Sequence, residues 1–224
     1  MKSLTIAGKE IQIFPSKKEN APLVILHTVH GEGEKVYQMV LEGAPVDFSL
    51  AAIGKLAWDD EMSPWEIPPI ARGDTPCTGG ADAYLGTLTE KILPKILSYV
   101  PSPSFMALAG YSLAGLFAVY AMYHTDVFER IASVSGSFWY PKFLDYVQQH
   151  EMKRQPECIY FSLGNKEAKT RNKILQSVEE NTRWLEKHYR ESGIRTVYEE
   201  NQGNHFQNAN ERMAKGIRWI LHYE

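Results

Sequence analysis

Gly110-Tyr111-Ser112-Leu113-Ala114-Gly115 is the stretch of sequence that decides the fold. It follows Phe105 to Ala109, an apolar run typical of a buried strand, and it precedes an almost wholly apolar helix predicted over residues 113–123. A serine at such a strand-to-helix turn takes a strained backbone conformation, and small neighbours let the helix approach the strand. Here Ala114 stands where the G-x-S-x-G pattern has its second glycine, and it keeps that position small. We interpret Ser112 as a nucleophile, with a serine that only caps a core helix as the alternative.

A serine nucleophile needs a base, and in sites of this kind the chain order is serine, acid, histidine. His205 lies in a polar loop beside Gly203, between the last predicted strand and the last predicted helix, where a mobile imidazole is expected. His188 lies inside a charged amphipathic helix and His222 follows the last helix, so neither is well placed. We therefore predict that His205 is the general base.

The acid of the set should follow the strand predicted at Cys158 to Leu163. Glu167 comes three residues after Gly164, whereas Asn165 cannot carry a negative charge. Asp145 is the remaining rival, but it precedes this strand. We predict Glu167 as the acid, with a surface glutamate in a lysine-rich turn as the alternative.

Two N–H groups are also needed to stabilise the negative oxygen that forms during acyl transfer. The first expected donor is the backbone N–H of Leu113, directly after the serine. The second should come from the loop after the apolar strand Leu23 to Leu26. We choose Thr28, the second residue past the strand end, with Val29 as the alternative.

Around the serine turn, apolar runs alternate with helical stretches along the whole chain. The strands are expected at Leu23 to Leu26, Val46 to Ile53, Phe105 to Ala109, Ile131 to Val134, Cys158 to Leu163 and Arg195 to Tyr198, after an edge hairpin at residues 4–14. The helices are expected at residues 34–41, 81–99 with a break at Pro94, 113–123, 141–150, 172–192 and 208–221. This alternation predicts one α/β domain over residues 1–224, with a mostly parallel sheet covered on both faces.

The segment Gly54 to Gly80 has no clear period, and a loop of this length inside a compact domain is usually functional. Trp58 and Trp65 in this loop, and Trp139 further on, are candidate substrate-binding aromatics, with ordinary packing as the alternative. Arg72 in the same loop is a candidate contact for an anionic substrate, with a solvated side chain as the alternative.

Composition argues against several other classes of protein. Lys and Arg total 24 against 27 Asp and Glu, so the net charge is −3, which disfavours nucleic-acid binding. Cys77 and Cys158 are too few for a disulfide scaffold and are expected to be reduced. No apolar run approaches the ~20 residues that span a bilayer, and the polar residues after Ile6 leave no signal-peptide core. We expect a cytoplasmic protein without a membrane partner, either monomeric or homodimeric.

His27 and His30 are spaced as two metal ligands can be, but no third ligand of a suitable type is evident. We therefore expect no metal, and no other cofactor.

Several of these stretches together resemble the serine-esterase branch of the α/β-hydrolase superfamily. Within that branch the chain is similar to the family of esterase D-like enzymes, feruloyl esterases and siderophore esterases. The similar stretches are Leu23 to Gly33, Gly79 to Leu85 leading into Ile92-Leu93-Pro94, Gly110 to Gly115, Ser133 to Ser137, and Gly203 to His205. The departures are Ala114 for glycine, Glu167 for the commoner aspartate, and His27-Thr28 for a His-Gly pair.

The resemblance implies a three-layer α/β-hydrolase sandwich with a Ser112–His205–Glu167 triad. Residues 113–166 leave too little chain between the serine and the acid for a large cap domain. The expected function is hydrolysis of a small-molecule carboxylic ester through an acyl-enzyme intermediate. The alternatives are acyl transfer or thioester hydrolysis on the same triad, and a non-catalytic binding protein of the same fold. The natural substrate, siderophore lactones included, stays open at this point.

Overall fold

The computed structural model describes residues 1–43, 47–71, 73–100 and 102–222. Its strands are β1 (Lys2–Ile6), β2 (Lys9–Phe14), β3 (Leu23–His27), β4 (Ser49–Gly54), β5 (Glu66–Ile67), β6 (Cys77–Thr78), β7 (Met106–Tyr111), β8 (Arg130–Val134), β9 (Cys158–Gly164) and β10 (Arg195–Asn201). Its helices are α1 (Gly33–Gly43), α2 (Trp58–Glu61), α3 (Ala81–Thr87), α4 (Leu93–Leu97), α5 (Leu113–Ala121), α6 (Phe143–Gln149), α7 (Lys173–Gln176), α8 (Val178–Glu191) and α9 (Ala209–Leu221). A π-helical turn, Leu88–Ile92, joins α3 to α4.

The main sheet has eight strands in the order β1-β2-β4-β3-β7-β8-β9-β10. Six of its strands run parallel to one another, namely β4, β3, β7, β8, β9 and β10. The strands β1 and β2 form an antiparallel edge hairpin, and β2 pairs antiparallel with β4. The small strands β5 and β6 form a separate antiparallel pair. Because β3, β7, β9 and β10 are parallel, the loops after them all leave the same edge of the sheet.

Helices cover both faces of this sheet, because successive side chains of a strand point to opposite faces. In the central strands β3 and β7, Ile25 and Leu108 pack into a buried cluster that includes residues of α3, α5 and α8. Val24 and Ala107 pack into a second cluster, on the face covered by α1 and α9. The predicted three-layer α/β sandwich is therefore confirmed. No helix in the described ranges is both long enough and apolar enough to cross a membrane.

The segment predicted as one helix over residues 172–192 consists of two helices, so that prediction is wrong. The Asn172 side chain accepts the N–H of Ile174 and starts α7, while the Ser177 hydroxyl donates to the Ile174 carbonyl at 2.7 Å. Side chains that bond to nearby backbone compete with the helical ladder, and α8 begins anew at Val178. The helix predicted over residues 81–99 with a break at Pro94 runs without interruption from Ala81 to Leu97. It changes type before the proline, since the π-helical turn precedes a short α4 that has Pro94 in its first turn.

The long segment over residues 54–80 contains more regular structure than its sequence predicts, namely α2 and the β5–β6 pair. Ser63 Oγ donates to the carbonyl of Asp59 at 2.8 Å and accepts the N–H of Gly79, and Thr78 bonds to the Asp60 carboxylate. These bonds join the two ends of the segment, so it is a folded wall beside the sheet edge. Val46, where a strand was predicted to begin, lies outside the described residues, and β4 begins at Ser49.

Candidate active site

Ser112 occupies the sharp turn between β7 and α5, with φ 59° and ψ −125°. A positive φ at a non-glycine residue is strained and persists only where neighbouring bonds fix it. Here the Ser112 N–H donates to the Val134 carbonyl at 3.1 Å, and the Ser112 carbonyl accepts the N–H groups of Gly115 and Leu116 at 3.0 and 3.1 Å. The backbone on both sides of the serine is thereby held, and its side chain stands at the sheet edge.

Close packing between Gly110 and Ala114 makes this turn possible. A Cβ atom placed on Gly110 would lie 2.2 Å from the Ala114 carbonyl oxygen and 2.7 Å from the Ala114 Cβ. Glycine is therefore required at position 110, whereas position 114 accommodates a methyl group because it faces that glycine. The departure of Ala114 from the G-x-S-x-G pattern thus has a direct packing explanation.

The three residues predicted to form the catalytic set are brought together from three loops at this edge. His205 lies between β10 and α9, and its Nε2 atom is 3.0 Å from Ser112 Oγ. Its Nδ1 atom is 2.7 Å from Oε2 of Glu167, which follows β9. The imidazole therefore bridges a hydroxyl and a carboxylate, an arrangement that can move a proton to and from the serine oxygen.

The Glu167 carboxylate is almost fully buried, with 4% of its side chain exposed. Its Oε1 atom accepts the Gly164 N–H at 2.6 Å, the Ser135 hydroxyl at 2.8 Å and Nη1 of Arg212 at 2.9 Å. Burial by itself would raise the pKa of this carboxyl, but the contacts with His205 and the bonds from Gly164 and Ser135 outweigh burial, and the pKa is lowered. The site therefore holds Glu167 ionised and in a fixed orientation.

Arg212 is a buried residue of this site that was not singled out from the sequence. Only 2% of it is exposed, and its Nη2 atom donates to the carbonyls of Gln202 and Asn204 at 2.9 and 3.0 Å. It therefore ties the acid to the loop that bears His205. The sequence did contain a signal for a buried, bonded arginine. Arg212 shares the buried face of α9 with Met213 and other residues at helical spacing, and a charge on such a face needs a partner.

Two hydroxyl groups complete the immediate surroundings of the serine and the histidine. The Tyr111 hydroxyl donates to the His205 carbonyl at 2.7 Å, and burial raises the pKa of this tyrosine, so it stays a neutral donor. The Ser137 Oγ atom lies 3.3 Å from Ser112 Oγ. Neither residue was singled out from the sequence, because both contacts depend on tertiary packing.

The prediction that Thr28 supplies an oxyanion donor is wrong. Its N–H donates to the Ile53 carbonyl at 2.9 Å, because the pairing of β3 with β4 continues past the end of β3. Val29, the alternative, lines the cavity at Ser112, and its N–H donates to Oε1 of Glu32 at 3.1 Å. The N–H of Leu113 has no acceptor among the described residues.

Two clefts meet at the serine, and both are lined by Ser112, His205 and Phe206. The first, here called the apolar cleft, has a volume of about 540 Å³ and is lined further by Leu26, Val29, Val36, Trp58 and Met213, with His30 and Glu32 at its polar side. The second, here called the basic cleft, has a volume of about 380 Å³ and is lined further by Ser135, Ser137, Trp139, Lys166, Glu167, Lys169, Thr170, Leu175, Val178 and Asn204. Phe206 is 87% exposed and stands between the two clefts.

The tryptophans singled out from the sequence take different places. Trp58 lines the apolar cleft and Trp139 lines the basic cleft, so their contact with a substrate stays a prediction. Trp65 lines neither cleft, because it packs against Tyr140 and donates its indole N–H to the Pro141 carbonyl at 3.2 Å. For Trp65 the packing alternative is therefore correct. Arg72 lies outside the described residues.

His27 is buried beneath the serine site. Its Nε2 atom is 2.8 Å from the Tyr84 hydroxyl, and its ring stands edge-on to Phe117 with centroids 5.2 Å apart. Burial lowers the pKa of His27 to about 3, so the ring is neutral at pH 7. Within the described ranges no three His, Cys, Asp or Glu side chains are grouped closely enough to hold a metal ion.

The buried His27 predicts a specific dependence of stability on pH. Its pKa is 6.5 when unperturbed and about 3 in the folded protein, so the unfolded chain takes up the proton first. The contribution of His27 to the free energy of unfolding is complete above pH 6.5 and falls by about 1.4 kcal/mol per pH unit as the pH drops towards 3. In urea unfolding between pH 7 and 5, the free energy of unfolding should fall more steeply with decreasing pH in the wild type than in His27→Phe. Equal slopes in the two proteins would contradict the assignment.

The strand order and the strained serine turn define an α/β-hydrolase. Residues 52–214 match the model of the family described as "Putative esterase". This match covers most of the chain, and the chain belongs to that family.

Individual relatives are more distant. The "Uncharacterized protein YbbA" of Bacillus subtilis (strain 168) is 25% identical over 139 residues, which are 60% of this chain and 56% of that protein. The chain thus matches little more than half the length of this relative. An IroE-like serine hydrolase from Shewanella oneidensis has a TM-score of 0.77 at 16% identity, over 94% of this chain and 75% of that one. The siderophore hydrolase EstB from Aspergillus nidulans has a TM-score of 0.72 at 17% identity, over 98% and 93%. At these identities the two structures show a shared fold.

Proposed function

We propose that this protein hydrolyses a small-molecule carboxylic ester through an acyl-enzyme intermediate on Ser112. The observation that carries the proposal is the continuous contact from Glu167 through both ring nitrogens of His205 to Ser112 Oγ, at 2.7 and 3.0 Å. A non-catalytic protein of this fold has no need of a nucleophile, a base and an acid held at these distances, so this alternative is disfavoured.

In the first half of the proposed reaction, Ser112 Oγ attacks the ester carbonyl carbon while His205 Nε2 takes the hydroxyl proton. The resulting tetrahedral species collapses as the bond to the alcohol oxygen breaks, and His205 gives its proton to the leaving alcohol. Glu167 keeps the ring oriented and stabilises the imidazolium, but it does not itself take the proton.

In the second half, water attacks the carbonyl carbon of the acyl-enzyme. His205 takes a proton from this water and returns it to Ser112 Oγ as the acyl–oxygen bond breaks. The carboxylic acid leaves and the starting state is restored. The same residues would also cleave a thioester. The substrate clefts, rather than the catalytic residues, therefore determine which class of leaving group is accepted.

We assign the oxyanion donors of this reaction to the N–H groups of Leu113 and Val29. The Leu113 N–H has no acceptor among the described residues, and Val29 lies in the wall of the cavity at Ser112. The Glu32 carboxylate accepts the N–H groups of Val29 and His30, at 3.1 and 2.8 Å. On this proposal the substrate oxygen replaces Glu32 at Val29 as negative charge develops.

The two free thiols, Cys77 and Cys158, are both buried. Reduced cysteines are typical of the cytoplasm, and they support the proposal that the protein works there.

A phosphonate probe that reacts with activated serines tests this proposal directly. The native protein should be labelled at Ser112, as located by mass spectrometry of peptides, and the heat-unfolded protein should not be labelled. In parallel, turnover is measured with short and long acyl esters, aryl esters, thioesters and catecholate lactones. Labelling at another residue, or no turnover of any substrate, would overturn the assignment.

A further inference from the structure

The two clefts at Ser112 differ in charge. The lining of the apolar cleft contains no lysine or arginine among the described residues, and it contains the acid Glu32. The basic cleft is lined by Lys166 and Lys169, both exposed, which lie on the loop between β9 and α7. The two lysines therefore stand on one side of the serine, and the Glu32 carboxylate stands on the other.

Hydrogen bonds fix the backbone of this loop and hold the Cα atoms of the two lysines at the rim of the basic cleft. The Lys166 N–H donates to the Gly203 carbonyl at 3.1 Å, and the Lys169 N–H donates to the Lys166 carbonyl at 3.1 Å. The same turn carries Glu167, whose N–H donates to the Gly164 carbonyl at 3.0 Å. The position of the lysines is therefore coupled to that of the acid.

The positive charge of the basic cleft is not neutralised by its own walls. Glu167 is the carboxylate in its lining, and its oxygens are already bonded to His205, Arg212, Ser135 and Gly164. In the part of the chain that the structure describes, no carboxylate lies within 4.0 Å of the Lys166 or Lys169 ammonium groups. Polar groups that can donate to an anion stand beside them, namely the Thr170 hydroxyl and the Asn204 side-chain amide.

We propose that the basic cleft binds a carboxylate carried by the substrate, so that the preferred ester bears one negative charge close to its scissile bond. This inference rests on the proposed function and specifies its substrate class. The cleft volume of about 380 Å³ lies at the small end of ligand pockets, which fits a short arm better than a long chain. The apolar cleft on the other side of Ser112 receives the uncharged part of the ester.

Matched pairs of esters test the proposal. In the first pair the acyl group ends in a methyl group or in a carboxylate, as in 4-nitrophenyl hexanoate and the 4-nitrophenyl monoester of adipic acid. In the second pair the charge is on the leaving group, as in phenyl butyrate and 4-carboxyphenyl butyrate, with rates corrected for hydrolysis by hydroxide. At low salt kcat/KM should favour the charged member of at least one pair by about 2- to 20-fold, since each exposed ion pair contributes a factor of up to about five. The preference should shrink in 0.5 M NaCl, because salt screens exposed charges.

The double variant Lys166→Met/Lys169→Met should bring the ratio of charged to neutral kcat/KM close to one. The control Lys17→Met/Lys18→Met changes the net charge equally, on an exposed pair that lines neither cleft, and should keep the wild-type ratio. A wild-type ratio of one or less in both pairs would overturn the inference, as would a preference that survives in the Lys166/Lys169 variant. Turnover of neutral esters together with labelling of Ser112 would then leave the proposed function standing. Absence of both would overturn the proposed function, and this inference with it.

Discussion

Ser112→Ala is expected to lower the turnover of a good ester substrate by about 10³-fold or more, because the members of such a catalytic set act as one unit. The hydroxyl of Ser137 lies 3.3 Å from Ser112 Oγ, but His205 Nε2 is bonded to the hydroxyl of Ser112. Ser137 is therefore not placed to replace the nucleophile. The measurement is kcat with a chromogenic ester, together with reaction with the phosphonate probe, which the variant should lose.

The matched control is Ser104→Ala, an exposed serine that lines neither cleft, and it should keep wild-type turnover and labelling. The alanine at position 112 keeps the Cβ atom and loses only the hydroxyl, so the free energy of unfolding should stay close to that of the wild type. Turnover retained in the folded Ser112→Ala protein would show that the nucleophile lies elsewhere.

Glu167→Gln is expected to lower kcat by about 10² to 10⁴. The amide has nearly the shape of the carboxylate but lacks the charge that stabilises the imidazolium of His205. The same change leaves the guanidinium of Arg212 buried without its anionic partner, at a cost of about 3 kcal/mol or more in the free energy of unfolding. Kinetics and urea unfolding of one preparation measure the two effects separately.

Asp145→Asn is the comparison for this variant. Asp145 was the rival acid in the sequence, and the structure places it exposed in the first turn of α6, without a hydrogen bond to His205. Its substitution should leave kcat within about twofold of the wild type. If Asp145→Asn lowers kcat while Glu167→Gln does not, the acid has been assigned to the wrong residue.

The contacts among Ser112, His205 and Glu167 were predictable because they depend on topology. Each residue follows a strand of one parallel sheet, and the loops after parallel strands leave the same edge. Chain order and distance from the strand end were then enough to choose among the seven histidines and the acids. Their catalytic roles stay predictions until the variants above are measured.

The site predictions that were wrong concern residues whose contacts depend on where strand pairing ends and on how side chains pack in the folded protein. The N–H of Thr28 is engaged because the β3–β4 hydrogen-bond ladder extends by one more bond, to the Ile53 carbonyl, and stops before Val29. No local sequence pattern shows where this ladder ends. Trp58 and Trp65 lie in the same loop, and their local sequences do not distinguish them. Only the folded conformation of this loop determines which of the two lines a cleft. Arg212 was readable as a charge on an apolar helix face, but its partner lies 45 residues away in the chain.

The bonds of Arg212 make the proposed catalytic set depend on the docking of α9. The serine turn itself is held by the bond from the Ser112 N–H to the Val134 carbonyl at the end of β8, which does not involve α9. The acid and the loop of His205 are different, because the Arg212 guanidinium on α9 bonds to Glu167 and to the carbonyls of Gln202 and Asn204. On the proposed mechanism, local unfolding of α9 would leave the nucleophile in its strained turn but free the acid and the base from their fixed positions, so activity would be lost before the sheet unfolds.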